Sequence, residues 1–260
     1  MVMITSTSNS QVKDLVQLKK KAKARKQQRI YVVEGIRMFR EAPADRIKMI
    51  YVSESFLSDP EHKKLLEGKP YEVLSDPVFS YVSDTKTPQG ILCLMKMQDY
   101  TLDMLLREKN GMWLVLENLQ DPGNLGTMFR TGEGAGIAGV IMDGSTVDIY
   151  NPKTIRSTMG SIYRIPFYIT DDLPDAINRL KERGIRTYAA HLKGSACYDE
   201  QDYTSGTAFL IGNEGNGLTG ETASLADVYI RIPMGGQLES LNAAMAAGIL
   251  MYEANRQRRK

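Results

Sequence analysis

The chain has 260 residues, of which 42% are hydrophobic and 25% charged, which is ordinary globular material with room for one large domain or two modest ones. Its net charge of +2 is too small to identify a nucleic-acid partner, so the distribution of charge carries more information than the total. No cationic start leads into a long apolar run, and Cys93 and Cys197 have neither CxxC nor metal-ligand spacing; a leader, a membrane span and a disulfide framework are therefore not expected, and buried thiols in a reduced cytoplasmic setting are.

Residues 8–29 read as a helix, with Ser8 and Gln11 at capping-box spacing and Leu15, Leu18 and Ala22 forming a narrow apolar seam. The rest of that stretch is basic: Lys13, Lys19, Lys20, Lys21, Lys23, Arg25, Lys26 and Arg29 against Asp14 alone. It is either a solvated helix face or a phosphate-contacting patch, because clustered cations gain by releasing counterions from a polyanion. Strands follow at 31–35, 48–53, 71–75 and 90–97, with helices through Met38 and Phe39, across Leu65 and Leu66, and over 76–82. Residues 1–98 thus form a small α/β unit.

Residues 99–110 are polar and loosely helical and read as a linker. A second α/β series fills 111–260. Strands are expected at 113–117, 138–142, 165–169, 186–190, 207–212 and 228–232. Helices fit at 124–135, 152–159, 172–183 and 217–225. The final helix, 240–258, is the clearest, with Leu241, Met245, Gly248, Ile249 and Tyr252 on one face. Alternation of this kind predicts a parallel sheet with ligands at the carboxyl ends of its strands.

Glycine-rich turns sit at 121–136, 211–218 and 232–242. The first contains GEGAG (132–136), which imitates a dinucleotide-binding loop. That fingerprint needs a strand before it and a helix after it. Here helical spacing at Leu125, Met128 and Phe129 precedes the glycines and the strand GVIM follows, so they end a helix instead. A dinucleotide-dependent oxidoreductase is rejected on this ground. With His62 and His191 the only histidines, no metal site is expected; His62 reads as solvent-facing and His191 as structural.

The three turns, in this order, resemble the motifs of the SpoU methyltransferases of the SPOUT class. The first is Asn124, Gly126, Arg130 and Thr131; the second is Gly212, Glu214 and Gly217; the third is Ile232, Pro233, Met234, Gly235, Ser240, Leu241 and Asn242. The segment 151–167, VVEG (32–35) and TPQG (87–90) extend the likeness over nearly the whole chain. SLNAAMAAG stands where the family more often has SLNVSVA.

The resemblance implies a parallel α/β sheet tied into a deep trefoil knot, preceded by a substrate-binding domain. It also implies an S-adenosylmethionine-dependent methyltransferase acting on a ribose 2′-hydroxyl, with ribosomal RNA as substrate and a homodimer as the working form. Gly212, Ile232 and Leu241 are implied as cofactor contacts, with Asn213, Met234 and Ala190 beside them. Arg130 is implied at the reacting hydroxyl, against the alternative of a surface arginine paired with Glu133 or Asp121. Glu214 is expected to orient Arg130. Asn124 and Ser240 either act in the site or cap their helices, and Asn242, inside a helix, is given a polar duty. A non-catalytic RNA-binding protein on the same fold is the competing reading.

Overall fold

The computed structural model describes residues 3–192 and 194–259. The chain divides into two compact units. One holds the residues up to Gln98 together with Asp148–Tyr163, and the other holds Asp99–Val147 with the residues from Arg164 onward.

The first unit runs α1 (Ser10–Lys20), α2 (Ala22–Gln28), β1 (Ile30–Glu34), α3 (Ile36–Glu41), β2 (Ile47–Ser53), α4 (Pro60–Leu65), β3 (Tyr71–Leu74), α5 (Asp76–Val82) and β4 (Ile91–Lys96). The strands form a mixed sheet in the order β1-β4-β2-β3. β4 is antiparallel to β1 and β2, and β3 is parallel to β2. One face buries Val12, Leu15 and Leu18 of α1 and Val78, Phe79 and Val82 of α5 against Val32, Tyr51, Leu92 and Leu94.

The basic stretch is two helices, not one. Asn9, not Ser8, caps the first, accepting from the Gln11 amide at 2.8 Å. The chain turns extended at Lys21, and the carbonyls left open at the end of α1 are taken by Arg25, whose Nη1 donates to Leu18 (2.7 Å) and Lys19 (3.0 Å). Arg25 also pairs with Asp148, Nε donating to Oδ2 at 3.1 Å.

The second unit opens with α6 (Leu102–Leu105), β5 (Met112–Leu116), α7 (Pro122–Ala135) and β6 (Gly139–Asp143). The chain then contributes α8 (Pro152–Thr158) to the first unit, where it packs on β1. It returns as β7 (Phe167–Thr170), α9 (Leu173–Glu182), β8 (Arg186–Ala190), the short β9 (Ala196–Cys197), β10 (Thr207–Ile211), α10 (Gly220–Ser224), β11 (Val228–Arg231) and α11 (Ala243–Arg258). These strands form a seven-stranded sheet, β7-β6-β5-β10-β8-β11-β9, parallel at every pairing. A parallel sheet is covered on both faces, which is why its strands read as unbroken apolar runs.

One face is covered by α6, α9 and α10, with Trp113, Val115, Ile141, Ile177 and Leu210 in its core. Leu102, Leu105 and Leu106 belong to that core, so the stretch read as a linker is anchored to the second unit by α6 and these leucines while its other residues are mostly exposed. Segment 148–163, read as part of the second domain, lies in the first unit.

On the other face α11 lies against α7, β5 and β10 through Ala244, Ala247, Leu250, Met251 and Ala254. This is not the face that the apolar spacing picks out. Small alanines let the helix approach the sheet closely, and that leaves Met245 60% and Tyr252 48% exposed.

Candidate active site

The glycines of GEGAG behave as local physics requires. Gly132 and Gly134 lie in α7, and Gly136 ends the helix in the left-handed conformation at φ 79° before β6 begins. The Asp121-Pro122 pair starts that helix: Asp121 Oδ1 accepts from the Asn124 amide at 2.8 Å. Asn124 is therefore not the cap, and its carboxamide is available for a contact across the site.

The ends of β10, β8 and β11 lie side by side, with Leu210 paired to Ala189 and Ala190 to Ile230. Ala190, Gly212 and Ile232 thus come to three adjacent carboxyl ends although they are far apart in sequence. Gly212 starts the loop 212–218, which the Asn213–Gly217 amides close in both directions at 3.0 and 2.9 Å. A Cβ on Gly212 would run into the backbone of Gly217 and Leu218, so only glycine permits this approach. Asn213 Oδ1 accepts from Gly215 (2.9 Å) and Asn216 (3.1 Å), while its Nδ2 donates to the Asn118 carbonyl (2.8 Å).

Glu214 ties this loop to the start of α7. Its carboxylate accepts from the amides of Gln120 (3.0 Å) and Asp121 (2.9 Å) and from Asn124 Nδ2 (3.0 Å). Burial alone would raise its pKa, but these donors outweigh burial and hold the carboxyl below the ordinary value. Asn124 Oδ1 in turn accepts from Asn242 Nδ2 at 3.0 Å. Asn242 Oδ1 caps α11, accepting from the amides of Ala244 (2.9 Å) and Met245 (3.2 Å). One chain of hydrogen bonds, Glu214–Asn124–Asn242, therefore joins all three glycine-rich stretches.

Residues 111–252 match the model of the SpoU rRNA Methylase family. The chain belongs to that family. Residues 9–93 match the MRM3-like substrate binding domain. The methylase is similar to the 23S rRNA (guanosine(2553)-2'-O)-methyltransferase RlmP of Bacillus subtilis (strain 168), with 34% identity over 255 residues, 97% of this chain and 98% of that protein. It is similar in structure to the AdoMet-bound rRNA methyltransferase from Sinorhizobium meliloti, with TM-score 0.84 and 31% identity, over 98% of this chain and 97% of that one. The SpoU methyltransferase AviRb from Streptomyces viridochromogenes, solved with AdoMet, shares its fold at TM-score 0.88 and 24% identity, over 97% of this chain and 99% of that one.

The methylase departs from several residue-level expectations. Glu214 does not orient Arg130; it is committed to the β5–α7 turn. Arg130 is exposed on α7, and its guanidinium makes no hydrogen bond or ion pair with the described residues. The Glu133 carboxylate pairs with Arg164 instead, Nη2 donating at 3.0 Å. Asn242, not Ser240, caps α11, and Ser240 is exposed in the loop before it. Met234 and Leu241 are half-buried in the same loop.

Lys19 and Arg25 are 7% and 3% exposed and are used inside the first unit, which removes them from any phosphate-contacting face. Lys20, Lys21, Lys23, Lys26 and Arg29 are exposed. His62 is half-buried and stacked on Phe56, with ring centroids 4.2 Å apart, rather than solvent-facing. Burial pushes the Cys93 thiol up to about 12, whereas Cys197 is partly exposed.

Glu117 and Asn118 lie outside the three glycine-rich motifs. Asn118 adopts φ 52°, a left-handed conformation that asparagine tolerates. Glu117, at the end of β5, is buried and accepts from Thr219 N (2.7 Å), Thr219 Oγ1 (2.8 Å) and Thr222 Oγ1. It anchors the far end of the 212–218 loop as Glu214 anchors its middle. A carboxylate after an apolar strand is the only sequence signal for it. Among the described residues no cluster of His, Cys, Asp or Glu is placed to hold a metal ion, and no helix is long and apolar enough to cross a membrane.

Proposed function

We propose that this methylase moves a methyl group from S-adenosylmethionine to a ribose 2′-hydroxyl of ribosomal RNA in the cytoplasm. The observation that carries the reading is the hydrogen-bonded junction Glu214–Asn124–Asn242, which draws three separated motifs together at the carboxyl edge of one parallel sheet. The fit of the cofactor rests on the same place. Gly212 leaves main chain bare at the β10 end, and a side chain there is sterically forbidden. Gly212, Ile232 and Leu241 would hold the cofactor, with Asn213, Met234 and Ala190 around them. The last part of the chain is read as the deep trefoil knot of the family.

When bound, the cofactor supplies the electrophilic methyl group. The protein's own task is to place the hydroxyl in line and support its developing negative charge. Arg130 is assigned to that charge. Its planar fork of N–H donors suits phosphate or the nascent alkoxide. Asn124, Glu214 and Asn242 position the cofactor loop, and exposed Ser240 stands at the site's rim.

Among the described residues Arg130 has no hydrogen-bond or ion-pair partner, and a homodimer whose second copy completes the site would supply one. The exposed side of α11, with Met245 and Tyr252, is the surface assigned to that contact. Lys20, Lys21, Lys23, Lys26 and Arg29 supply a cationic face for RNA phosphate.

Calorimetric titration with S-adenosylhomocysteine, beside transfer of tritiated methyl to ribosomal RNA, tests the assignment. Wild type and Arg130→Ala should bind equally, with transfer lowered about 10²–10³-fold in Arg130→Ala. Gly212→Ala should lose most binding while keeping its circular dichroism spectrum. Failure of folded wild type to bind removes the enzyme reading and leaves an RNA-binding protein on this fold.

A further inference from the structure

The first unit holds a cavity of about 310 Å³ whose lining includes none of the residues assigned to methyl transfer. It lies where β1 passes into α3, against the α5–β4 loop and α8, and its lining includes Arg37, Met38, Thr87, Gln89, Arg156 and Met159. Its volume is at the small end for a ligand site.

Its walls are built. Gly35 holds φ +107°, and a Cβ there would stand 3.0 Å from Gln89 Oε1. That oxygen accepts from the Ile36 amide at 2.8 Å, so the carboxamide is fixed and its Nε2 is left to donate elsewhere. Met159 ends α8 at φ 51°, an uncommon conformation for a bulky residue, and belongs to the cavity lining. Glu34, at the base, accepts from Ser83 Oγ, from Thr85 Oγ1 at 3.0 Å and from Lys19 Nζ at 3.2 Å, so its charge is already answered.

The charges around the cavity balance. Asp84 lies 3.3 Å from Lys19 and 3.9 Å from Arg156, and Glu41 pairs with Arg37 at 3.0 Å. The Arg37–Glu41 pair joins neighbouring turns of α3 with the Arg37 side chain largely exposed, so it contributes little and Arg37 is readily drawn away. Arg156 makes no guanidinium hydrogen bond to the described residues. The cavity therefore offers two arginines that can take an anion, two methionines in its lining, of which Met38 is largely buried, to meet a flat ring, and Gln89 and Thr87 as polar groups for a ring edge.

We propose that this cavity receives one unstacked nucleotide of the RNA substrate, its phosphate on Arg37 and Arg156 and its base between Met38 and Met159. The proposal rests on the RNA-substrate reading. Single-stranded bases are read by stacking and by their polar edges, whereas the basic helices supply only phosphate contacts.

Two readouts test it. The first is the methyl resonances of Met38 and Met159 in the full chain labelled with ¹³C-methyl methionine. Millimolar additions of the four ribonucleoside 5′-monophosphates should shift both signals with at least one nucleotide, and inorganic phosphate should not. The shifts should vanish in Arg37→Ala/Arg156→Ala. Equal shifts with phosphate alone would reduce the cavity to an anion site, and no shift with any nucleotide would overturn the proposal. The second readout is methyl transfer to ribosomal RNA. The double variant should raise KM for RNA about tenfold with kcat and S-adenosylhomocysteine affinity unchanged, equivalent to about 1.4 kcal/mol. An unchanged KM also overturns it. Wild type that transfers no methyl group would instead fail the functional reading, and the resonance test would still decide the cavity.

Discussion

Glu214 shows how one side chain can tie two glycine-rich stretches together. Three donors converge on its carboxylate, and their combined effect holds its pKa below the usual range. A carboxyl depressed in the folded state adds stability above its unfolded pKa of about 4.3 and loses it as pH falls through the folded value. Glu34 and Asp227 are depressed as well and act with the same sign. Glu214→Gln should therefore cost about 1 kcal/mol at neutral pH, a modest figure because the site is largely solvated. Thermal melts at a series of pH values should show the gap between wild type and variant closing below about pH 4. A gap that stays constant on acidification would mean that the carboxylate's charge is irrelevant. The residue's importance is legible in the sequence through its motif. Its partners are not, because the Gln120 and Asp121 amides are presented only by the folded turn.

At the scale of elements, the basic N-terminal stretch separates into two kinds of cation. Its composition is plain in the sequence, but the break at Lys21 is not, and that break is what turns Arg25 inward onto the carbonyls of Leu18 and Lys19 and onto Asp148. Asp148 arrives from more than a hundred positions further along the chain, so no local pattern marks it. Arg25→Ala should destabilise the protein by about 3 kcal/mol by leaving Asp148 and two carbonyls without their donor. Denaturant unfolding measures this. Lys20, Lys23 and Lys26 replaced together by Ala should leave unfolding unchanged and reduce the slope of log affinity for RNA against log salt by roughly 2. An unchanged slope would return this face to plain solvation.

At the scale of the whole molecule, the packing of α11 decides which of its side chains stay in solvent. The apolar spacing along the helix marks one face, yet packing uses the adjacent one because alanines at 244, 247 and 254 allow the backbone to approach the sheet. Met245 and Tyr252 are left in solvent as a result. Met245→Glu should weaken self-association at least tenfold, about 1.4 kcal/mol, without lowering the melting temperature. Sedimentation of wild type and variant is the measurement. A wild type that sediments as a monomer removes the homodimer from the functional reading.

Elements and motifs were legible in the sequence because they depend on neighbours in the chain. Apolar runs mark the parallel strands, glycine after a helical repeat marks the end of α7, and the three motifs carry their own spacing. Tertiary structure alone decided the pairings: Glu214 with Asn124, Asn124 with Asn242, Arg25 with Asp148, and α8 with the first unit rather than the second. Each joins residues remote in the chain, and such contacts form only once burial of the core has ordered the backbone groups that present them.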